Sequence, residues 1–279
     1  MKSLKTLASF FFFSAVVLTS CKKDDSSTTN NEVETTFELS GKQAISDNLV
    51  EDDNVVLMEV TSEQNLAGGR PGDTGTPSSF FGCATVTVTP ASGFPKTITI
   101  DFGTGCTNNG VFRSGKMIVV LSDSLRRPGA TATTTFDNYY VNAFKREGTI
   151  VWTNTSTNVT RSWSRQVTNG KVTSPSGEWW LHNGLKNVIQ VEGTGTMIPF
   201  DDIFQITGSG STTNSAGRTR NHTILDALVK RNNCENIVRG RLRVDGANHF
   251  AILNYGDGTC DNLATISIDG NPPRTIQLR

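Results

Sequence analysis

Histidine is scarce in this chain: three among 279 residues, standing apart as His182, His222 and His249. No His-x-His, His-Glu-x-x-His or Cys-x-x-Cys spacing occurs, so a zinc site has no sequence support. A Gly-x-Ser-x-Gly elbow and a phosphate-binding P-loop are missing too. Neither charge is in surplus, since 26 Lys and Arg face 26 Asp and Glu. Without a basic cluster there is no electrostatic footprint for nucleic acid. No apolar run reaches the ~20 residues a transmembrane helix needs. Helical segments do not alternate with the strand-like ones, which excludes a parallel βαβ arrangement. The residues therefore predict no cofactor and no metal.

What is present begins with Lys2 and Lys5, followed by an apolar run from Leu7 through Leu18 that contains Phe10-Phe11-Phe12-Phe13. A basic tip, an apolar stretch of this length and small residues after it make a secretory signal peptide over 1–20. Leu18-Thr19-Ser20-Cys21 resembles the bacterial lipobox. That resemblance implies cleavage before Cys21 and acylation of its thiol and of the new amine. Several acyl chains anchor stably where one does not, so the expected partner is membrane lipid. Removing 1–20 leaves 259 residues, with 24 basic against 26 acidic side chains. That length suffices for one large β domain or two small ones, each with a real core.

The segments after the signal divide by composition. Residues 21–39 are polar and aperiodic, which predicts a flexible tether behind the acylated cysteine. Lys22-Lys23-Asp24-Asp25 resembles the export signal of surface lipoproteins in the Bacteroidota, implying outer-membrane placement and surface display. Residues 40–64 form the one helical segment, with Ser40 as its cap and Ile45, Leu49, Val56 and Val60 near one face. Asp47, Glu51, Asp52 and Asp53 then read as a solvated face rather than a calcium site. Residues 65–80 are loop, with Gly68-Gly69 and Pro71-Gly72.

From 81 to 279 the text is strand and turn. Val86 and Val88 alternate with Thr85, Thr87 and Thr89; Ile98, Ile100 and Phe102 alternate with Thr97, Thr99 and Asp101. This period of two marks half-buried antiparallel strands. Further strands read at about 115–121, 131–141, 147–153, 159–168, 177–182, 188–196, 203–208, 219–229, 237–244, 249–255, 264–268 and 274–278. The fold class is mainly β: an antiparallel meander of hairpins forming a sandwich or a long curled sheet. Asp245-Gly246 and Asp269-Gly270 suit tight turns.

Once Cys21 is taken by lipid, Cys83, Cys106, Cys234 and Cys260 remain, an even number in an exported chain. Each pair brackets a hairpin: Cys83 before Ile100-Asp101-Phe102-Gly103-Thr104-Gly105-Cys106, and Cys234 before Leu253-Asn254-Tyr255-Gly256-Asp257-Gly258-Thr259-Cys260. Hairpin ends meet, so Cys83–Cys106 and Cys234–Cys260 are the favoured pairs among three connectivities. The Gly-x-Gly segments lack a third glycine and a following helix, which rules out a phosphate loop. Asn254, Asp257 and Asp261 carry calcium-type oxygens, but not at EF-hand spacing. A weaker echo links Tyr139-Tyr140-Val141-Asn142 and Glu147-Gly148-Thr149 to Trp179-Trp180-Leu181-His182-Asn183 and Glu192-Gly193-Thr194. With its lipobox, acidic segment and closing hairpin, the chain resembles exported lipoproteins of the Bacteroidota, a likeness that carries no activity with it.

Three functions are open at this level. A non-catalytic binding or structural role at the envelope, with a glycan or an envelope protein as partner, leads. A glycan-binding β-sandwich would use Trp152, Trp163, Trp179 and Trp180 for stacking. A carboxylate-based glycan enzyme would draw on Glu178, Glu192, Asp201 and Asp202. Adjacent Trp179 and Trp180 must point to opposite faces of a strand.

Overall fold

The computed structural model describes residues 25–66, 82–196 and 199–278. Cys21, residues 1–20 and most of the 65–80 loop lie outside them. One helix, α1 (Asp25–Glu63), precedes fourteen strands. They are β1 (Thr85–Thr89), β2 (Lys96–Asp101), β3 (Cys106–Asn108), β4 (Val111–Leu121), β5 (Thr131–Val141), β6 (Phe144–Asn154) and β7 (Ser162–Thr173). Then follow β8 (Trp179–Glu192), β9 (Ile203–Asn214), β10 (Thr219–Arg231), β11 (Ile237–Asp245), β12 (Phe250–Asp257), β13 (Leu263–Ile268) and β14 (Arg274–Gln277). All belong to one antiparallel sheet whose order follows the chain, with β3 set beside β4. The meander is a long curled sheet, not closed into a barrel.

The sheet coils because it is bulged. Every strand pair from β4–β5 through β11–β12 carries a register shift, and a bulge adds local right-handed twist. Glycine makes several of these possible. At Gly148 in β6, φ is +108°, and a Cβ would lie 2.4 Å from the Asn169 carbonyl oxygen on β7. Gly240 in β11, at φ +115°, would set its Cβ 2.6 Å from Leu228 Cα on β10. No larger side chain fits either approach without moving backbone.

The coiled sheet wraps α1 from Val33 through Val60. Leu49, Val50, Val56, Leu57 and Val60 join one core with Ile98, Ile100, Phe102, Val119, Tyr139, Trp152 and Trp180. Val33, Phe37 and Ala44 pack on a second core built from β8–β14, including Phe204, Leu242, Leu253, Tyr255 and Ile266. Burial of apolar surface at ~25 cal/mol per Å² is the main driving force here. The two sheet halves meet over the middle of the helix. There Asn142, in the β5–β6 turn, donates to Glu235 in the β10–β11 loop (3.3 Å), and Asn48 Oδ1 accepts the Ile237 amide (2.6 Å).

Four expectations need correcting. The helix does not start at Ser40 but at Asp25, so the expected tether is helical from that residue on. Ser40 is no cap: its hydroxyl donates to the Thr36 carbonyl one turn back (2.7 Å), as Ser46, Asn48 and Thr61 do to theirs. That local bonding lets polar side chains sit inside a buried helix. The four acids are not a solvated face: Asp47, Glu51, Asp52 and Asp53 are between 1% and 7% exposed. Finally, residues 179–192 are one strand where two were read, so Asn183 lies within β8 and the hairpin echo fails. The strand β3 was not foreseen.

The disulfides join Cys83 to Cys106 and Cys234 to Cys260, with Cα separations of 5.5 and 5.4 Å. The first ties the segment before β1, an edge strand, to β3; the second ties the β10–β11 loop to the β12–β13 loop. The 26-residue span between Cys234 and Cys260 corresponds to about 3.5 kcal/mol in the chain-entropy treatment of loop closure. Replacing both by serine should lower the urea unfolding free energy by about that amount. A change under about 1 kcal/mol would show that the loop is held closed by other contacts.

Candidate functional site

The densest collection of reactive side chains lies between the two cores, where the middle of α1 faces the sheet. It is a layer of ion pairs. Asp52 Oδ1 and Oδ2 receive Arg113 of β4 through Nη2 (2.5 Å) and Nε (3.1 Å). Asp53 Oδ2 receives Arg146 of β6 through Nη2 (2.7 Å) and Nε (3.3 Å). Glu51 Oε1 receives Arg165 of β7. Asp47 faces Lys186 of β8 at 3.7 Å and accepts the Tyr255 hydroxyl at 3.0 Å. Every group in these pairs has 9% or less of its side chain exposed.

Two histidines complete the layer. His182 Nε2 accepts from Arg146 Nη1 (3.3 Å), and His222 Nε2 accepts from Lys186 Nζ (3.2 Å). Burial, aided by Arg146 for His182 and by Lys186 for His222, pushes both imidazoles down to about 3. They are neutral acceptors for cations. In the same layer burial pushes Asp53 up to about 6, against the pull of Arg146. Burial pushes Asp47 up as well, but Lys186 and hydrogen bonds from Gln43 and Tyr255 more than offset it, leaving that carboxyl below its usual value. Arg165 lies 5.1 Å from the Trp152 ring and Arg146 5.5 Å from the Phe136 ring, a further offset to lost hydration.

No protein-family model matches this chain. No curated protein and no solved structure matches it either.

Chemically the layer holds an acid, a base and a nucleophile, yet each is engaged by another and closed from solvent. Its geometry locks a helix to a sheet. The sequence-chosen carboxylates are elsewhere. Glu178, in the β7–β8 turn, pairs with Lys42 of α1 (2.7 Å). Glu192, Asp201 and Asp202 gather at the far end of β8, where Asp201 accepts from Thr196 (2.8 Å) and Asp202 from Gln190 (2.7 Å). Fourteen residues of strand separate Glu178 from them, roughly 45 Å at 3.4 Å per residue. Glu178 therefore cannot form a glycosidase pair with any of the three.

The tryptophans also part company. Trp152 and Trp180 are buried at 3% and 1%, Trp163 packs between Trp152 and Phe204, and Trp179 alone faces outward at 37%. Asn254, Asp257 and Asp261 do not converge; each accepts an amide two residues on, from Gly256, Thr259 and Leu263. His249 pairs with Asp269 at the surface (2.6 Å). Among the described residues no group of three His, Cys, Asp or Glu could hold a metal.

Sequence reasoning missed Arg113, Arg146, Arg165 and Lys186. Strand parity was the available signal. Arg113 shares the face of Val111, Arg146 that of Ile150 and Trp152, Arg165 that of Val167, and Lys186 that of Trp180 and Val188. A cation at an inward position requires a buried anion, and one helix carries the acids.

Two outcomes follow. Arg146→Met, which leaves Asp53 buried without its partner, should cost about 3–5 kcal/mol in denaturant unfolding, and Asp53→Leu added to it should recover most of the loss. Stability should also fall in acid. Between pH 6.5 and about 3 the unfolded chain protonates His182 and His222 while the folded chain does not, so ν for the unfolded state is larger and stability drops as pH falls. Asp53 acts oppositely, costing stability as pH rises from 3.8 toward 6. His222→Gln should flatten the acid limb in pH-dependent urea melts; an unchanged limb would mean that imidazole is charged in the folded state.

Proposed function

We propose that this chain is a lipid-anchored protein of the bacterial outer membrane whose folded part has a structural or non-catalytic binding role. The observation that carries the reading is the filled interior. A curled sheet offers its concave face as the natural ligand cavity, and here α1 and its ion pairs occupy that face. With three tryptophans turned inward and one outward, a stacking platform for glycans has no support. This distribution favours a structural role over sugar binding.

The anchor itself is read from Leu18-Thr19-Ser20-Cys21. Three residues, Lys22, Lys23 and Asp24, separate Cys21 from Asp25, where α1 begins. Glu32 of α1 accepts the Asn248 and His249 amides of the β11–β12 turn (2.6 and 3.3 Å), and those bonds, led by Asn248, hold its carboxyl down at about 2. The helix rises about 10 Å between Asp25 and Glu32. An acylated Cys21 would thus tie the β domain to the bilayer through a short helical stalk.

Intact mass of the protein from its native membrane should lack residues 1–20, carry acyl chains and gain four hydrogens on reduction. Cys21→Ser should leave the protein exported but absent from the membrane fraction. A mature mass without lipid, or a Cys21→Ser variant that still sediments with membranes, overturns the anchoring.

A further inference from the structure

A recess opens on the outer face of the sheet. Around Gly240 both neighbouring strands bulge: the β10–β11 register shifts between Asp226 and Val229, and the β11–β12 register shifts between Arg239 and Arg241. The double bulge recesses the backbone and opens a cavity of about 540 Å3, lined among others by Gln205, Asp226, Arg239, Gly240, Arg241 and Asn254. That volume lies within the range of small-molecule sites. Because a Cβ on Gly240 would collide with Leu228 and Ala227, the recess depends on glycine at the centre of β11.

The lining is rich in donors. Asp226 is its one carboxylate, and it already accepts from Arg241 Nε. Asn254 uses its side-chain oxygen on the Gly256 amide (3.0 Å), so its amide nitrogen remains to donate. Among the described residues Arg239 has neither an ion pair nor a side-chain hydrogen bond, although Asp257 is its cross-strand partner, because that carboxylate turns to Thr259 instead (2.8 and 3.1 Å). Two guanidinium groups against one carboxylate give the recess a net positive charge, in a mature chain whose formal balance is −2. A planar fork of N–H groups with no partner matches a two-oxygen anion.

We infer that this recess is a binding site for a small oxyanion, a carboxylate or a phosphate carried on a polar ligand, with Arg239 as its principal contact and Arg241, Gln205 and Asn254 beside it. Arg241 is steadied by Asp226, so only Arg239 must be ordered on binding. Open to solvent on one side, the site takes ligands at modest affinity and releases them quickly.

The test is calorimetric titration of the purified full chain at low ionic strength with sodium phosphate, sodium glucuronate and, as a neutral control, glucose. Saturable binding of at least one anion with a dissociation constant in the millimolar range, and no binding of glucose, is expected. Preference for glucuronate would identify a sugar carboxylate and preference for phosphate a phosphoryl group. Arg239→Ala, a change at an exposed side chain, should weaken binding at least ten-fold. Arg243→Ala, whose guanidinium lies over Phe250 and pairs with Asp245 outside the recess, should leave it unchanged. No saturation by about 50 mM of either anion, equal binding of glucose, or an Arg239→Ala variant that binds as well as the parent would overturn the assignment.

Discussion

Everything in this fold depends on removing four carboxylates from water. Asp47, Glu51, Asp52 and Asp53 fall within two turns of one helix, and their burial would cost several kcal/mol each if left unpaired. Their compensation comes from four strands, each contributing one cation: Arg113 on β4, Arg146 on β6, Arg165 on β7 and Lys186 on β8. A rotation of α1 by one residue, about 100°, would part all four pairs at once. Replacing such pairs by apolar residues is often neutral or stabilising, so their chief effect is on arrangement. They fix the axial position and rotation of the helix, and with it the curvature of the sheet that closes around it.

The strands were legible because half of each faces solvent. Threonine recurs at outward positions, with Thr87 beside Thr99 and Thr135 beside Thr149 across neighbouring strands, while Ile98, Ile100, Ile150 and Trp152 point in. Alternation of that kind survives in the sequence as a period of two. The local disulfides were legible for a similar reason, since a hairpin brings its own ends together. The helix was legible only from residue 40 on; its first part, 25–39, was not. Enclosed on nearly every side, it has no continuous apolar or polar stripe along its length, and Thr35, Ser40 and Asn48 are as buried as Leu49. A helix shaped by its surroundings does not announce itself through amphipathic period.

The same enclosure explains why the acid cluster misled. A run such as Glu51-Asp52-Asp53 normally marks a solvated face, and locally nothing contradicts that. The contrary information lies more than sixty residues away, in single cations at inward positions of separate strands. Only pairing across the whole sheet joins them to the helix. The strand 179–192 failed for the opposite reason: Asn183-Gly184 looks like a turn locally, yet Gly184 sits opposite Ser209 and Gly210, where two backbones approach closely and a side chain would not fit.

The interior decides where recognition must occur. With α1 in the concave face, a ligand cannot reach the side on which curled sheets usually bind, and the terminal edges β1 and β14 are five and four residues long, too short to template much of a partner strand. What remains is the outer face and the turns. Between its bulges the outer face presents mostly hydroxyls and amides, with apolar side chains such as Leu185, Ile189 and Leu225 among them, a surface that distinguishes one ligand from another poorly. The bulges around Gly240 bring donors from β9, β11 and β12 around a hollow. A bulge that only curved the sheet would serve equally well with Arg239 bonded to Asp257, its cross-strand neighbour. The structure instead spends Asp257 on its own turn and leaves the guanidinium open to the recess, an arrangement that regular curvature does not require and an anionic ligand would complete.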